Sequence, residues 1–266
     1  MIPDYHIHTP FCKHAEGEPK AYLETARLKN LPEICFTDHA PNPDNYDQEH
    51  RMKEDEFEPY RGKIRALSAT SGQIKVLLGV EADYYEGCEK FLREWLPRRQ
   101  LDLAIGSVHY IRNWGFDNPD EREVWDNVDV TESWRSYFEL IGRLADTKLF
   151  DVIGHFDLPK KFGYFPPEKA MKEMIMPVLD KAAQAKMAIE LNSSGLRKPV
   201  KEIYPGLMIL SAAQERGIPI CFGSDAHTPE EVGYEFAAAL AWARRAGYKE
   251  AVRFAGRKKM PYALPE

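Results

Sequence analysis

Short runs of apolar residues alternate with longer amphipathic stretches along nearly the whole chain. This alternation is typical of βα units, in which parallel strands lie side by side and helices cover them. The apolar runs predict seven strands, at residues 3–9, 33–37, 75–80, 101–108, 150–154, 187–191 and 219–223. Seven strands with covering helices in 266 residues predict one barrel-like α/β domain over residues 1–266.

The amphipathic stretches predict the helices. They place helices from near Pro19, up to about Ala69, from Thr131 to about Lys148, over residues 167–186, and from Thr228, where a Thr cap precedes a Pro. An eighth barrel strand would have to come from the C-terminal tail. Residues 258–266 are a poor strand by composition, so seven strands are expected.

Composition and charge narrow the class of protein. The chain is 44% hydrophobic, enough to bury a full core, and its net charge of −6 argues against a general nucleic-acid binder. The four cysteines form no C-x-x-C pair, so neither a disulfide framework nor a cysteine-based zinc site is expected. The N-terminus has no apolar signal core, and the longest apolar run, residues 236–243, is too short to span a bilayer. We therefore expect a cytoplasmic protein without membrane or nucleic-acid partners.

Side chains that bind metals collect at the carboxyl ends of the predicted strands. His6 and His8 are two residues apart, so in a strand both imidazoles point to the same face. Pro10 ends that strand because it has no N–H for the ladder, and His14 follows on a loop. The other strand ends carry His39, Glu81, His109, His155, and Asp225 with His227. In a parallel βα barrel these ends share the face on which active sites lie.

These residue types indicate transition metals. Imidazole and carboxylate without thiolate suit Zn, Fe or Mn, whereas Ca prefers sites made only of oxygen. Nine candidate ligands are too many for one ion, so we expect two or three divalent ions and no organic cofactor. A carboxylate such as Glu81 can bridge two of them. Adjacent divalent ions activate a water and hold phosphoryl oxygens during in-line displacement, which is the chemistry of a hydrolase.

The sequence around the ligands contains recognisable motifs. It reads YHIHT at residues 5–9, TDH at 37–39, GSVH at 106–109, GH at 154–155 and SDAH at 224–227. These motifs resemble those of the polymerase-and-histidinol-phosphatase (PHP) family, and they occur in the family's order along the chain. The fuller wording at residues 10–17, 154–158 and 192–198 is similar to the histidinol-phosphatase branch of the family.

The resemblance implies a distorted (β/α)7 TIM-like barrel with parallel strands, outer helices and a trinuclear metal site. Carried over residue by residue, it assigns the first ion to His6, His8, Glu81 and Asp225. It assigns the second ion to Glu81 as a bridge, His109 and His155. It assigns the third ion to His14, His39 and His227.

The resemblance also implies the reaction. A phosphomonoester, L-histidinol phosphate, would be hydrolysed to L-histidinol and phosphate in histidine biosynthesis, with a metal-bridging hydroxide attacking phosphorus. Glu81, Asp225 and His227 would be the catalytic residues.

Four further residues are candidates for contact with the substrate. Arg197 follows the sixth strand on a Gly-containing loop and offers a two-pronged fork to phosphate. Lys160 and Lys161 follow the fifth strand and fit either a phosphate site or a solvated pair. Asn192 ends the sixth strand and fits either the site or a local turn.

Three other functions remain open at this point. A different PHP phosphoesterase, acting on another phosphomonoester or on a nucleotide, would use the same ligands. A proofreading-type nuclease domain is disfavoured by the acidic charge. A metal-binding regulator would bind ions without turnover.

Overall fold

The computed structural model describes residues 1–43 and 46–266, and within them seven parallel strands form one sheet in chain order. The strands are Asp4–Ile7 (β1), Glu33–Phe36 (β2), Lys75–Asp83 (β3), Leu103–Ser107 (β4), Val152–Ile153 (β5), Ala188–Asn192 (β6) and Ile220–Gly223 (β7). The edges meet just beyond β1 and β7, where His8 N donates to Ala226 O at 2.9 Å and Ala226 N donates to His6 O at 3.2 Å. The sheet is thus a nearly closed barrel, which confirms the predicted distorted (β/α)7 fold.

Helices cover the outside of the barrel. They are Pro19–Leu28 (α1), Phe57–Ala69 (α2), Glu89–Trp95 (α3), Val130–Thr147 (α4), Glu168–Gln184 (α5), Leu207–Glu215 (α6) and Phe236–Arg245 (α7). The helix α4 follows the sequence closely. The Asp129 side chain accepts the Glu132 N–H as an N-cap, and Lys148, in a left-handed conformation, ends the helix. Its buried face repeats every three or four residues, at Trp134, Tyr137, Phe138, Ile141, Leu144 and Ala145.

In the C-terminal half, one helix prediction was wrong and one helix was not predicted. No α-helix begins at Thr228. Pro229–Glu231 form only a short 3-10 turn, and Gly233, with φ +62°, is not in a right-handed helical conformation, so the turn does not continue into α7. The helix α6 was not predicted. Its first residues are almost continuously apolar and show no amphipathic period that would mark a helix.

The C-terminal tail is a strand, contrary to the prediction. Lys258–Ala263 (β9) pairs antiparallel with Glu250–Ala255 (β8), and together they form a separate hairpin. The hairpin covers the end of the barrel at which the strands begin. Its Phe254 is fully buried and packs edge-to-face on Tyr5, with ring centroids 5.2 Å apart. Four of the six residues of β9 are exposed and none is buried, so the segment has no buried apolar run that would reveal a strand.

The hairpin is expected to stabilise the barrel without taking part in the chemistry. Phe254→Ala should lower the free energy of unfolding, measured in urea, by about 3–5 kcal/mol, because it removes a fully buried aromatic ring. The turnover number of the folded protein should not change. Met260→Ala is the control, because Met260 lies on the same hairpin and is 43% exposed. An unfolding curve for Phe254→Ala equal to that of Met260→Ala would contradict this role.

No helix in the described part of the chain combines the length and the apolar character needed to cross a membrane.

Candidate metal centre

The carboxyl ends of the barrel strands surround a cluster of side chains that can bind metal ions. The structure brings together all nine ligands predicted from the sequence, namely His6, His8, His14, His39, Glu81, His109, His155, Asp225 and His227. Glu81 extends from β3 into the centre of this cluster and is 1% exposed. The cluster opens into a cavity of about 680 Å³.

The two carboxylate oxygens of Glu81 face different sets of imidazoles. Oε2 lies near His6 Nε2 (3.2 Å), His8 Nε2 (3.5 Å) and His39 Nδ1 (3.1 Å). Oε1 lies near His155 Nε2 (2.9 Å) and His109 Nε2 (3.7 Å). A carboxylate in this position has the geometry of a bridge between two groups of ligands.

Several imidazole nitrogens in the cluster lack a hydrogen-bond partner. His6 Nε2, His8 Nε2 and His39 Nδ1 are buried, lie within 3.5 Å of Glu81, and still make no hydrogen bond. Buried polar atoms without partners are rare in folded proteins because leaving them unpaired is costly. Since imidazole nitrogens and carboxylate oxygens together suit Zn, Fe or Mn, divalent cations fit this donor set.

The imidazoles of His14 and His227 also indicate that divalent cations fit the cluster. His14 Nδ1 lies 2.8 Å from Cys12 O, and His227 Nδ1 lies 3.0 Å from Asp225 O, so both Nδ1 atoms carry the proton in the neutral rings. Burial lowers the pKa of His14 to about 4 and lowers the pKa of His227 well below its usual range. Two unprotonated Nε2 atoms therefore face each other at 3.0 Å. That contact is repulsive without a cation, and it has the form of a metal-ligand pair.

The carboxylates of the cluster stay ionised although they are buried. Burial alone would raise the pKa of Glu81, but the positive fields of His6, His39 and His109 hold it well below the usual value. Asp225 behaves in the same way, again with burial opposed mainly by His6. Its Oδ1 lies 3.2 Å from His8 Nε2 and 3.8 Å from His6 Nε2. The centre thus offers negative charge at two points.

A buried carboxylate inside the barrel supports two of the histidines. Glu190, on β6, places Oε1 2.6 Å from His6 Nδ1, and its Oε2 accepts the backbone N–H of His155 at 2.9 Å. The close approach requires a glycine on the next strand, because a Cβ on Gly223 would lie 1.9 Å from Glu190 Oε1. Partners of this kind fix the orientation of ligating imidazoles.

A second supporting carboxylate, Asp83, was missed by the sequence analysis. Its Oδ1 lies 2.5 Å from His109 Nδ1, and its carboxylate also forms a buried ion pair with Arg51. Because Asp83 is two residues beyond Glu81 on β3, the strand period was the one signal that placed both carboxylates on the same face. Asp83 therefore connects a ligand to the loop that carries Arg51.

Removal of the Asp83 charge is expected to weaken metal binding. Asp83→Asn should lower the affinity for the bound ions by about 10–100-fold, since outer partners orient ligating histidines. Competition with a fluorescent chelator measures that affinity. Asp146→Asn is the control, because Asp146 is a 56% exposed carboxylate near the end of α4 that pairs with Lys181 and with none of the nine ligands. Equal affinities in the two variants would disprove the supporting role.

The predicted substrate contacts divide into two groups. Arg197 and Lys161 line the cavity. Lys160 does not reach it, because its ammonium is 1% exposed, donates to Ile203 O at 2.8 Å and pairs with Asp157 at 2.9 Å. Lys160 therefore stabilises the backbone next to the cavity through these two contacts.

Asn192 also serves the local structure. Its Nδ2 donates to Glu190 Oε2 at 3.1 Å, its Oδ1 accepts the Ser194 N–H at 2.9 Å, and it is fully buried. The Ser194 contact matches the local turn, whereas the Nδ2 contacts, which include Asp225 Oδ2 at 3.4 Å, reach the metal-binding cluster, so Asn192 takes part in both.

Lys198 and Tyr204 are among the residues of the cavity wall that were not predicted as substrate contacts. Lys198 follows Arg197, and Tyr204 is buried with its hydroxyl lacking a hydrogen-bond partner. For Lys198, a basic residue next to Arg197 on the same loop was a usable signal. For Tyr204, no local feature of the sequence indicated the site.

Comparison with known proteins identifies the family. A family model described as PHP domain matches residues 4–194, and one described as PHP-associated matches residues 207–236. A probable histidinol-phosphatase of Deinococcus radiodurans is 43% identical over 97% of this chain and 98% of that protein. The histidinol-phosphatase of Bacillus subtilis is 30% identical over 89% of this chain and 97% of that protein.

The fold has a counterpart among solved structures. The crystal structure of histidinol phosphate phosphatase from Lactococcus lactis, complexed with zinc, L-histidinol and phosphate, matches with a TM-score of 0.83 at 21% identity. The match covers 97% of this chain and 98% of that chain, and it shows the fold. The chain belongs to the PHP family. Its curated relatives place it in the histidinol-phosphatase branch of that family.

Proposed function

We propose that this protein hydrolyses L-histidinol phosphate to L-histidinol and inorganic phosphate, a step of histidine biosynthesis. The observation that carries the proposal is the position of Glu81, whose two oxygens face two groups of imidazoles beneath a cavity that also contains basic side chains. The two curated relatives described above support it, because both bear the name histidinol-phosphatase. The Lactococcus lactis protein, which binds zinc, L-histidinol and phosphate, supports it further.

The nine side chains would hold two or three divalent ions of Zn, Fe or Mn. The proposed groups are His6, His8, Glu81 and Asp225; Glu81, His109 and His155; and His14, His39 and His227. Bound ions of this kind supply an activated water and positive charge opposite the phosphoryl oxygens. Glu81, Asp225 and His227 are the proposed catalytic residues, and all three line the cavity.

The charges on the cavity wall favour a substrate that carries both signs. Basic side chains come from Arg51, Lys161, Arg197 and Lys198. Acidic side chains come from Asp47, Asp117, Asp120 and Glu121. A phosphate ester that also bears an ammonium group can be complementary to both, whereas a nucleic acid backbone would be repelled by the carboxylates. This arrangement supports histidinol phosphate over a polynucleotide.

The proposal is tested by phosphate release from a panel of esters. The metal-loaded protein is offered L-histidinol phosphate, p-nitrophenyl phosphate, AMP and single-stranded DNA under the same conditions. We expect the highest kcat/KM for histidinol phosphate and no degradation of DNA. A kcat/KM for histidinol phosphate no greater than that for p-nitrophenyl phosphate would refute the substrate. In that case a different PHP phosphoesterase becomes the better description.

A further inference from the structure

Four basic side chains line the cavity beside the candidate metal centre. Arg51 is already held in ion pairs with Asp83 and Asp47, which leaves three others to consider. Lys161 lies in the 3-10 turn Leu158–Phe162 that follows β5, and Arg197 and Lys198 lie at the end of the 3-10 turn that follows β6. A phosphoryl group bound next to the metal ligands would therefore meet up to three cations. They differ in whether their charge is already balanced by the protein.

Lys161 and Arg197 are each paired with a carboxylate. Lys161 Nζ lies 3.0 Å from Asp117 Oδ2 and donates to Asp117 O at 2.5 Å. Arg197 Nε lies 2.9 Å from Glu231 Oε1. These pairs are largely buried, so a dianion that approached either cation would also meet the partner carboxylate at short range.

Arg197 also forms hydrogen bonds with the backbone. Its Nη2 donates to Ser224 O and to Asp225 O, each at 3.0 Å, and it thereby holds the turn that carries Asp225. Its Nη1 is buried without a partner. Arg197 thus keeps its Nη1 group without a partner, but its charge is balanced by Glu231.

Lys198 differs from both. It is half-buried on the cavity wall, and its ammonium forms no ion pair with any carboxylate of residues 1–43 and 46–266. Burial lowers the pKa of Lys198, and the charge of Lys161 lowers it further, with Asp225 acting in the opposite direction. The protein therefore holds a cation in a poorly solvated position next to two other cations. Such an arrangement costs free energy unless an anion binds there.

We infer that Lys198 is the uncompensated cation that binds the phosphoryl group of the substrate, while Lys161 and Arg197 chiefly shape the wall around it. This inference rests on the proposed phosphomonoesterase activity. Phosphate oxygens accept charge-assisted hydrogen bonds from an ammonium, and the bond at Lys198 competes with no internal ion pair. Inorganic phosphate, the product, should bind through the same contact.

The test compares Lys198→Met with Lys198→Arg and with Lys201→Met. Lys201 is an exposed lysine of the same loop and lies outside the cavity wall, which makes it the matched control. Each metal-loaded protein is assayed with L-histidinol phosphate and with p-nitrophenyl phosphate, and its binding of inorganic phosphate is measured by calorimetry. Metal content and melting temperature are measured on the same samples, so that a loss of fold or of ions is recognised.

Lys198→Met is expected to lower kcat/KM for both esters by about 10–100-fold and to weaken phosphate binding by a similar factor, with metal content unchanged. Lys198→Arg should recover most of the loss because it restores the charge, and Lys201→Met should match the unmodified protein. If Lys198→Met keeps its phosphate affinity, the inference is refuted. If histidinol phosphate is not a substrate, p-nitrophenyl phosphate and phosphate binding still decide the role of Lys198, so the two failures are distinguishable.

Discussion

Glu81→Gln is expected to abolish phosphatase activity, lowering kcat/KM by about a thousandfold or more. The substitution keeps the size of the side chain but removes the charge that faces both groups of imidazoles. An amide has one oxygen in place of two, so it cannot serve both groups as the carboxylate can. The charge stabilisation that divalent ions supply is worth several kcal/mol, and each 1.36 kcal/mol is a factor of ten in rate. Phosphate release and the number of bound ions per chain should both fall.

The control for this variant is Glu33→Gln at the opposite end of the barrel. Glu33 is also a buried glutamate, 3% exposed, and it starts β2. It accepts the Tyr5 hydroxyl at 2.5 Å and pairs with Lys75 at 3.3 Å, close to the hairpin. Glu33→Gln should therefore change stability and leave turnover by the folded protein intact. Wild-type activity in Glu81→Gln would remove the basis for a metal-dependent mechanism.

Removal of the metal ions is the second change with a large expected effect. A chelator should eliminate activity and lower the melting temperature, because an ion bound only by the folded state stabilises that state by mass action. The structural reason is the set of buried nitrogens at His6, His8 and His39 that lack hydrogen bonds. Addition of Zn, Mn or Fe(II) should restore both properties. Differential scanning calorimetry and phosphate release on the same sample measure the two effects.

Glu81→Gln is also the control for the chelator. If the stabilising ions bind at this centre, the chelator should shift the melting temperature of that variant much less than that of the unmodified protein. A protein that stays active at undetectable metal content would contradict the assignment. Equal shifts in both proteins would place the stabilising ions somewhere else.

Most of the ligands were predictable because they lie in the last residues of a strand or within a few residues after its end. In a parallel barrel the end of a strand has a known place, so a residue such as His155 or Asp225 can be located from the chain alone. The alternation of side chains did the same for His6 and His8. Because the strands were recognisable as short apolar runs, the place of each ligand relative to its strand also located it in the barrel.

The residues of the cavity wall were predicted less well, because turns decide which side chains face the cavity. Lys160 and Lys161 are adjacent in sequence, but the 3-10 turn directs Lys160 to Asp157 and Lys161 to the cavity. No periodicity distinguishes the two lysines. Glu190 depends on a contact of another kind, the space left by Gly223 on the neighbouring strand. Such contacts arise only when distant segments pack together.

The hairpin was missed for a related reason. Its strands are stabilised by each other and by the packing of Phe254 against the open end of the barrel. Lys258–Ala263 has little burial of its own, so the segment reads as a polar tail until its partner strand is known. Pairing between segments decides the structure here, and strand propensity is a weak guide.

The most direct test of the central claim is elemental analysis of the purified protein, paired with phosphate release from L-histidinol phosphate by the same sample. We expect two or three equivalents of Zn, Fe or Mn per chain, and a rate of phosphate release that rises in proportion to metal occupancy. A fully metal-loaded protein that releases no phosphate from histidinol phosphate would contradict the claim.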